Sequence, residues 1–192
     1  METEAVLLRR GLALEGITLA WNIAGVVVLG LEAIAARSVA LAGFGLDSLI
    51  EIGASTVVIW ELSGTGEARR RRALRMIGAA FLALALYLAV QSAVVLATGY
   101  HSRHSTVGVV WTAVTALTMF ALAAGKASTG RRLDNPVLRS EGKVTLVDGV
   151  LAIAVLVGLL LNAHTGWWWA DPAAAVVLVC YGFTEGMAAI RQ

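Results

Sequence analysis

The sequence predicts an all-α fold, a six-helix transmembrane bundle, on three observations. Apolar residues make up 58% of the chain and charged residues only 15%, whereas a water-solvated globule carries about a quarter charged. Several unbroken apolar stretches approach the roughly 20 residues that cross hydrocarbon as a helix. Lys and Arg fall almost entirely in alternate connections between those stretches. Together these make the bilayer the solvent of the protein, because too little polar surface exists to coat a soluble particle.

The stretches are Leu14–Ile34, Val39–Trp60, Met76–Thr98, Thr106–Gly125, Leu138–Ala163 and Pro172–Ile190. Length and continuous hydrophobicity favour helices over strands, since a strand in lipid needs a closed barrel to satisfy its backbone. The first stretch contains Asn22 and Glu32 and lacks a small-residue cleavage site, so it reads as a span rather than a signal peptide. The six spans use most of the chain, and residues 1–192 are expected to form a single membrane domain with no separate soluble one. One cysteine, Cys180, excludes an internal disulfide framework and a zinc–thiolate cluster, and in its apolar run it is expected to pack. The net charge of +2 gives no reason to expect a nucleic-acid partner.

An even number of spans puts both termini on one side. That side receives every one of the 15 Lys and Arg residues except Arg37 and Arg103, with Arg69 to Arg72, Lys126, Arg131, Arg132 and Lys143 among them. The excess of basic residues on the cytoplasmic side predicts that both termini are cytoplasmic. On the other side Trp167, Trp168 and Trp169 form an interfacial belt. Asp171-Pro172 then reads as an N-cap and a first-turn proline for the sixth span.

Ionisable residues inside a span are costly and mark function by default. Asp47 and Glu51 stand four apart in span two and so share one helical face. Like charges there repel unless a proton or a cation sits between them, which suits a divalent ion exchanged for protons. At about 1.5 Å per residue, Asp47 lies roughly 12 Å from the outer end of its span, Glu51 and Asn22 about 18 Å and Asp148 roughly 22 Å. They can therefore share a layer near the midplane. Glu141, seven residues before Asp148 on the same face, reads as a vestibule residue near the cytoplasmic end. Glu15, Glu32 and Glu61 read as snorkelling or capping near span ends, and Glu185 as interfacial. His101, His104 and His164 read as solvated loop residues. Gly43, Gly45, Gly53, Ala54 and Ser55 keep span two narrow enough for close helix approach.

The segment Leu46-Asp-Ser-Leu-Ile-Glu-Ile-Gly-Ala-Ser55 resembles the second-helix signature of the cation diffusion facilitator (cation efflux) family, in which Asp-x-x-x-Asp supplies two metal ligands. Trp169-Ala-Asp-Pro-Ala-Ala-Ala-Val-Val with Glu185-Gly186 resembles that family's sixth helix. Leu138-Arg-Ser-Glu141 through Asp148 resembles its fifth, Ala-Asp-x-x-His-x-x-x-Asp. The resemblance implies that Asp47, Glu51 and Asp148 bind metal. Val144 stands where the family has histidine, Glu141 where the fifth-helix motif has its leading Asp, and Glu51 is one methylene longer than the usual aspartate. A histidine-rich loop between spans four and five is missing, and the sequence shows no counterpart of the family's cytosolic ferredoxin-like domain, so a short form limited to the membrane domain is expected.

By that resemblance the chain is expected to be a transporter rather than an enzyme, exporting a divalent transition metal in exchange for protons by alternating access at the plasma membrane. No permanent cofactor is implied. The cargo order is zinc first on the family's habit, with manganese or iron close behind because the ligands are oxygens. A homodimer through the membrane helices is expected. Three other readings compete: a non-transporting membrane subunit whose midspan acids serve assembly, an intramembrane aspartyl protease, and a multidrug transporter. The protease would need Gly-x-Gly-Asp and a Tyr-Asp motif, which the sequence lacks; the multidrug transporter would need an aromatic pocket at the midplane.

Overall fold

A computed structural model describes residues 4–62 and 67–191. The described residues form six helices: α1 Glu4–Ala36, α2 Val39–Leu62, α3 Glu67–Thr98, α4 Thr106–Arg132, α5 Pro136–Thr165 and α6 Ala170–Ile190. Long apolar segments of α1, α3, α4 and α5 meet the length and composition needed to cross a membrane. At about 1.5 Å rise per residue, α2 and α6 are roughly 36 and 32 Å long, which also matches a hydrocarbon core of about 30 Å.

The outer helix ends, those on the side away from the termini, fall close to the predicted span ends, and those of α1, α3 and α5 are stopped by a specific turn. Arg37, Gly99 and Gly166 follow α1, α3 and α5 with positive φ, the left-handed conformation that ends a helix. Ser38 N then donates to Ala33 O, and Tyr100 N to Val95 O, closing the two helix ends in the same way. The opposite ends run further than the apolar stretches suggest: α1 begins at Glu4, α3 at Glu67, and α4 continues to Arg132. Hydropathy finds where the lipid ends. It does not find where the hydrogen-bonded helix ends, and these helices continue past the apolar stretches into segments that carry basic residues.

Helices α1, α2, α4 and α5 form a four-helix group, with the antiparallel pair α3–α6 beside it. Glycines set the closest approaches. A Cβ at Gly130 of α4 would meet Arg139 N at 2.9 Å, and one at Gly186 of α6 would meet Gly78 O at 2.9 Å, so the pairs α4–α5 and α3–α6 touch backbone to backbone. In the same way, Gly45 of α2 rests on Leu29 and Gly30 of α1. Phe44, Leu41, Leu88, Val155 and Leu178 fill the centre, while Leu31, Ile34 and Leu117 stand out on the perimeter where lipid would cover them. Cys180 is exposed on that perimeter rather than packed inside, a correction that follows from its helical phase: buried Leu178 and Gly182 flank it.

Asp171 also departs from expectation. Trp169 occupies the N-cap of α6, with no side-chain capping bond. The Asp171 carboxylate instead crosses to α2, where it accepts from Ser38 Oγ, Val39 N and Ala40 N. Ser38 Oγ in turn accepts from Leu41 N. Asp171 is a capping carboxylate, but of α2 rather than of its own helix, because a carboxylate caps whichever helix N-terminus lies within reach.

Candidate cation site and its polar seam

Three helices each carry polar residues along one stripe, at the spacing that keeps a single face turned inward. On α1 the buried stripe is Leu7, Gly11, Glu15, Thr18, Asn22, Gly25 and Leu29. On α5 it includes Leu138, Glu141, Thr145, Asp148, Ala152 and Val155, and on α2 it includes Asp47, Ser48, Glu51 and Ser55. The stripes face one another inside the four-helix group, and their polar members join into a continuous seam.

At its centre the carboxyl groups of Asp47 and Asp148 lie within hydrogen-bonding reach of each other. One turn along α2, Glu51 Oε2 accepts from Asn22 Nδ2 at 3.0 Å, while Glu51 Oε1 has no hydrogen-bond partner among the described residues. Asp47, Glu51 and Asp148 are all buried, at 2%, 2% and 3% exposure. The predicted residues therefore meet in one layer. As arranged, no three His, Cys, Asp or Glu side chains among the described residues converge closely enough to hold a metal ion, and Glu51 is hydrogen-bonded to Asn22. Val144, one turn before Asp148, is half-buried.

Toward the ends of the bundle that carry the termini, the seam contains a feature the sequence reading missed. Lys126, counted there as a loop residue, is fully buried in α4. Its Nζ lies 2.8 Å from Glu141 Oε1, 3.0 Å from Thr145 Oγ1 and 3.1 Å from Glu15 Oε2. Glu15, read as a snorkelling residue, is likewise fully buried, and Glu141 is 4% exposed rather than standing in a solvated vestibule. Both corrections have the same cause: a buried ammonium supplies the partner that lets two carboxylates stay out of water. The signal was present in the periodicity. Thr112, Thr115, Met119, Leu122, Lys126 and Thr129 form the buried stripe of α4, which runs past the end of the apolar window.

Other polar expectations resolve simply. Glu32 accepts from Ser105 Oγ at 2.6 Å, bracing the N-cap of α4. His101 lies against Trp168, His104 is near Thr106, and all three histidines are exposed. Trp167 and Trp169 stack on each other at the exposed outer edge. Trp21 and Trp111 stack within the four-helix group, ring centroids 5.1 Å apart, with Trp21 Nε1 donating to Thr115. The tryptophans are thus not confined to the interfaces.

Buried carboxylates inside apolar helices of spanning length define a multi-pass membrane protein with an internal polar path. The chain belongs to the cation efflux family: the family model for the cation efflux transmembrane domain matches residues 73–192. Members of that family are cation transporters rather than enzymes. The matched stretch covers nearly all of α3 and the whole of α4, α5 and α6 and so includes Lys126, Glu141 and Asp148, whereas Asp47 and Glu51 lie before it. Comparison with curated proteins gives no match.

Proposed function

We propose that this cation transporter carries a divalent transition-metal ion by proton-coupled efflux and alternating access, binding it between α2 and α5. The observation that carries the reading is the buried meeting of Asp47 with Asp148, one turn from Glu51. Among the described residues no ion pair reaches these three groups, since Lys126 is committed to Glu15 and Glu141. Carboxylates in a water-poor interior need compensating charge. A dication or protons can supply it in alternation, which is the exchange an antiporter performs. Rotation of Glu51 away from Asn22 would bring a further oxygen to the site. The basic asymmetry of the connections supports cytoplasmic termini and hence the plasma-membrane, outward direction. A homodimer through the membrane helices is part of the same proposal.

The test is metal flux into proteoliposomes with pH set independently on the two sides. Asp47→Asn keeps the size and hydrogen bonding of the side chain but removes the charge that balances a dication. It is expected to abolish flux while the protein still elutes as a folded species; normal flux would place the site elsewhere.

Oxygen ligands favour harder ions, whereas imidazole favours zinc, so discrimination between zinc and manganese should be poor. Val144→His should tighten zinc binding selectively, and more steeply with rising pH near neutrality because the ring must lose its proton to bind metal. Calorimetric titration of both metals into both proteins checks this. Equal changes for the two metals would mean that position 144 does not look into the site.

A further inference from the structure

The four-helix group consists of two closely packed pairs, α1–α2 and α4–α5. Polar or aromatic ties join α1 to α4 at three levels. At the outer end Ser105 bonds Glu32. In the middle Trp21 stacks on Trp111 and bonds Thr115. At the end carrying the termini the tie is Lys126 to Glu15.

This last tie is unequal on its two sides. The ammonium makes two contacts to α5, with Glu141 at 2.8 Å and Thr145 at 3.0 Å, and α5 is glycine-packed against the helix that carries Lys126. Across the gap to α1 it makes one contact, an ion pair of 3.1 Å to Glu15 Oε2, and neither Glu15 oxygen accepts a hydrogen bond among the described residues. Parting the two pairs at this end would cost one polar contact of the ammonium, that to Glu15, along with the packing of Leu14 on Gly125. Lys126 would keep a partnered charge on its own side, so no ammonium would be left alone. A buried ion pair that must open needs such an arrangement, because stripping a buried charge of every partner is strongly unfavourable.

We infer that Lys126 is a positioning residue that latches the α4–α5 pair to α1–α2 through Glu15, closing the seam between the central carboxylates and the side of the membrane that carries the termini. Its role as a gate rests on the transport reading above. The latch itself is a statement about access and can be tested without metal. While the ammonium bridges Glu15 and Glu141 it occupies the acidic position a cation from that side would meet first. An ion on its way to Asp47 and Asp148 has to displace it from Glu15.

The reporter is Ser55→Cys on α2, a fully buried position beside Glu15. It is placed in a Cys180→Ser background, since Cys180 is the chain's one cysteine and lies on the perimeter. A membrane-impermeant maleimide is applied to metal-free vesicles of each sidedness. With the latch intact the thiol should be protected. Adding Glu15→Gln removes the charge that holds the link across the pairs and should raise the labelling rate about tenfold from the side of the termini alone, a change equivalent to ~1.4 kcal/mol in the closed–open equilibrium. Glu141→Gln leaves the Glu15 contact in place and should stay protected.

Should Glu15→Gln not be recovered folded, Glu15→Gln/Lys126→Met/Glu141→Gln removes all three charges without leaving one unpaired, and should label as fast. An unchanged rate in the folded Glu15→Gln or triple variant, faster labelling from both sides, or equally fast labelling in Glu141→Gln would each overturn the latch. Absence of metal flux in the parent protein would overturn the transport reading instead, and the labelling would still decide the latch.

Discussion

The two ends of the bundle are held together by different chemistry. At the outer end the ties run between helix termini and short polar side chains. Asp171 of α6 holds Ser38 and the first backbone N–H groups of α2, Glu32 of α1 holds Ser105 of α4, and Asn162 of α5 donates to Ser102 O. Arg103 N also donates to Ala36 O, joining the connection before α4 to the end of α1. The bonds to Val39 N, Ala40 N and Ala36 O satisfy groups that every helix end leaves open, and the others tie side chains and connections at that end, so they serve packing whether or not anything is transported. At the other end the tie is a full charge inside the helices, where no terminus demands a partner. A structure that needed only to stay closed would be better served there by apolar side chains. The contrast fits the proposed latch, in which the outer clasp serves packing and the inner one holds a charge that another cation could replace.

Substitutions can break or sharpen this contrast, and the largest effect should come from Lys126→Met. It strands Glu15 and Glu141 without their counter-charge, at a cost of about 3–5 kcal/mol. A clear fall in the thermal midpoint of the detergent-solubilised protein is expected, and adding Glu15→Gln and Glu141→Gln should recover most of it. A single variant as stable as the parent would mean that the triad carries little of the fold's energy.

Asp171→Ala should cost less, about 1–3 kcal/mol, for the Ser38 hydroxyl and α2 backbone groups left without an acceptor. It should leave maleimide labelling from the side of the termini unchanged. An increase there would show that the outer clasp controls the inner end, and the division between the two would fail.

The smallest effect should come from Ser48→Ala. Ser48 is buried beside Gly25, and its hydroxyl bonds back to Phe44 O of its own helix, so no other helix loses a partner. A change within about 0.5 kcal/mol is expected, with flux unaltered. Impaired flux would draw Ser48 into the transport path.

The sequence by itself determined six apolar segments and their outer ends, because hydrophobicity sustained over a membrane thickness leaves few alternatives and left-handed residues such as Gly99 and Gly166 stop helices locally. It also singled out Asp47, Glu51 and Asp148, since a carboxylate in mid-span is conspicuous against its apolar neighbours. What only the tertiary structure decided were the partners. Lys126 and Glu15 lie near the ends of apolar windows, where a long charged side chain usually reaches water. Their burial became visible only when α1, α4 and α5 brought an ammonium and two carboxylates to one point. Asp171 likewise sits one residue before a proline, as an N-cap would, yet it caps α2 because packing places that helix's free N–H groups in front of it. Solvation preference belongs to each residue and its neighbours in the chain, so it can be read in one dimension. Charge pairing depends on distances between residues far apart in the sequence, and those exist only once the helices have packed.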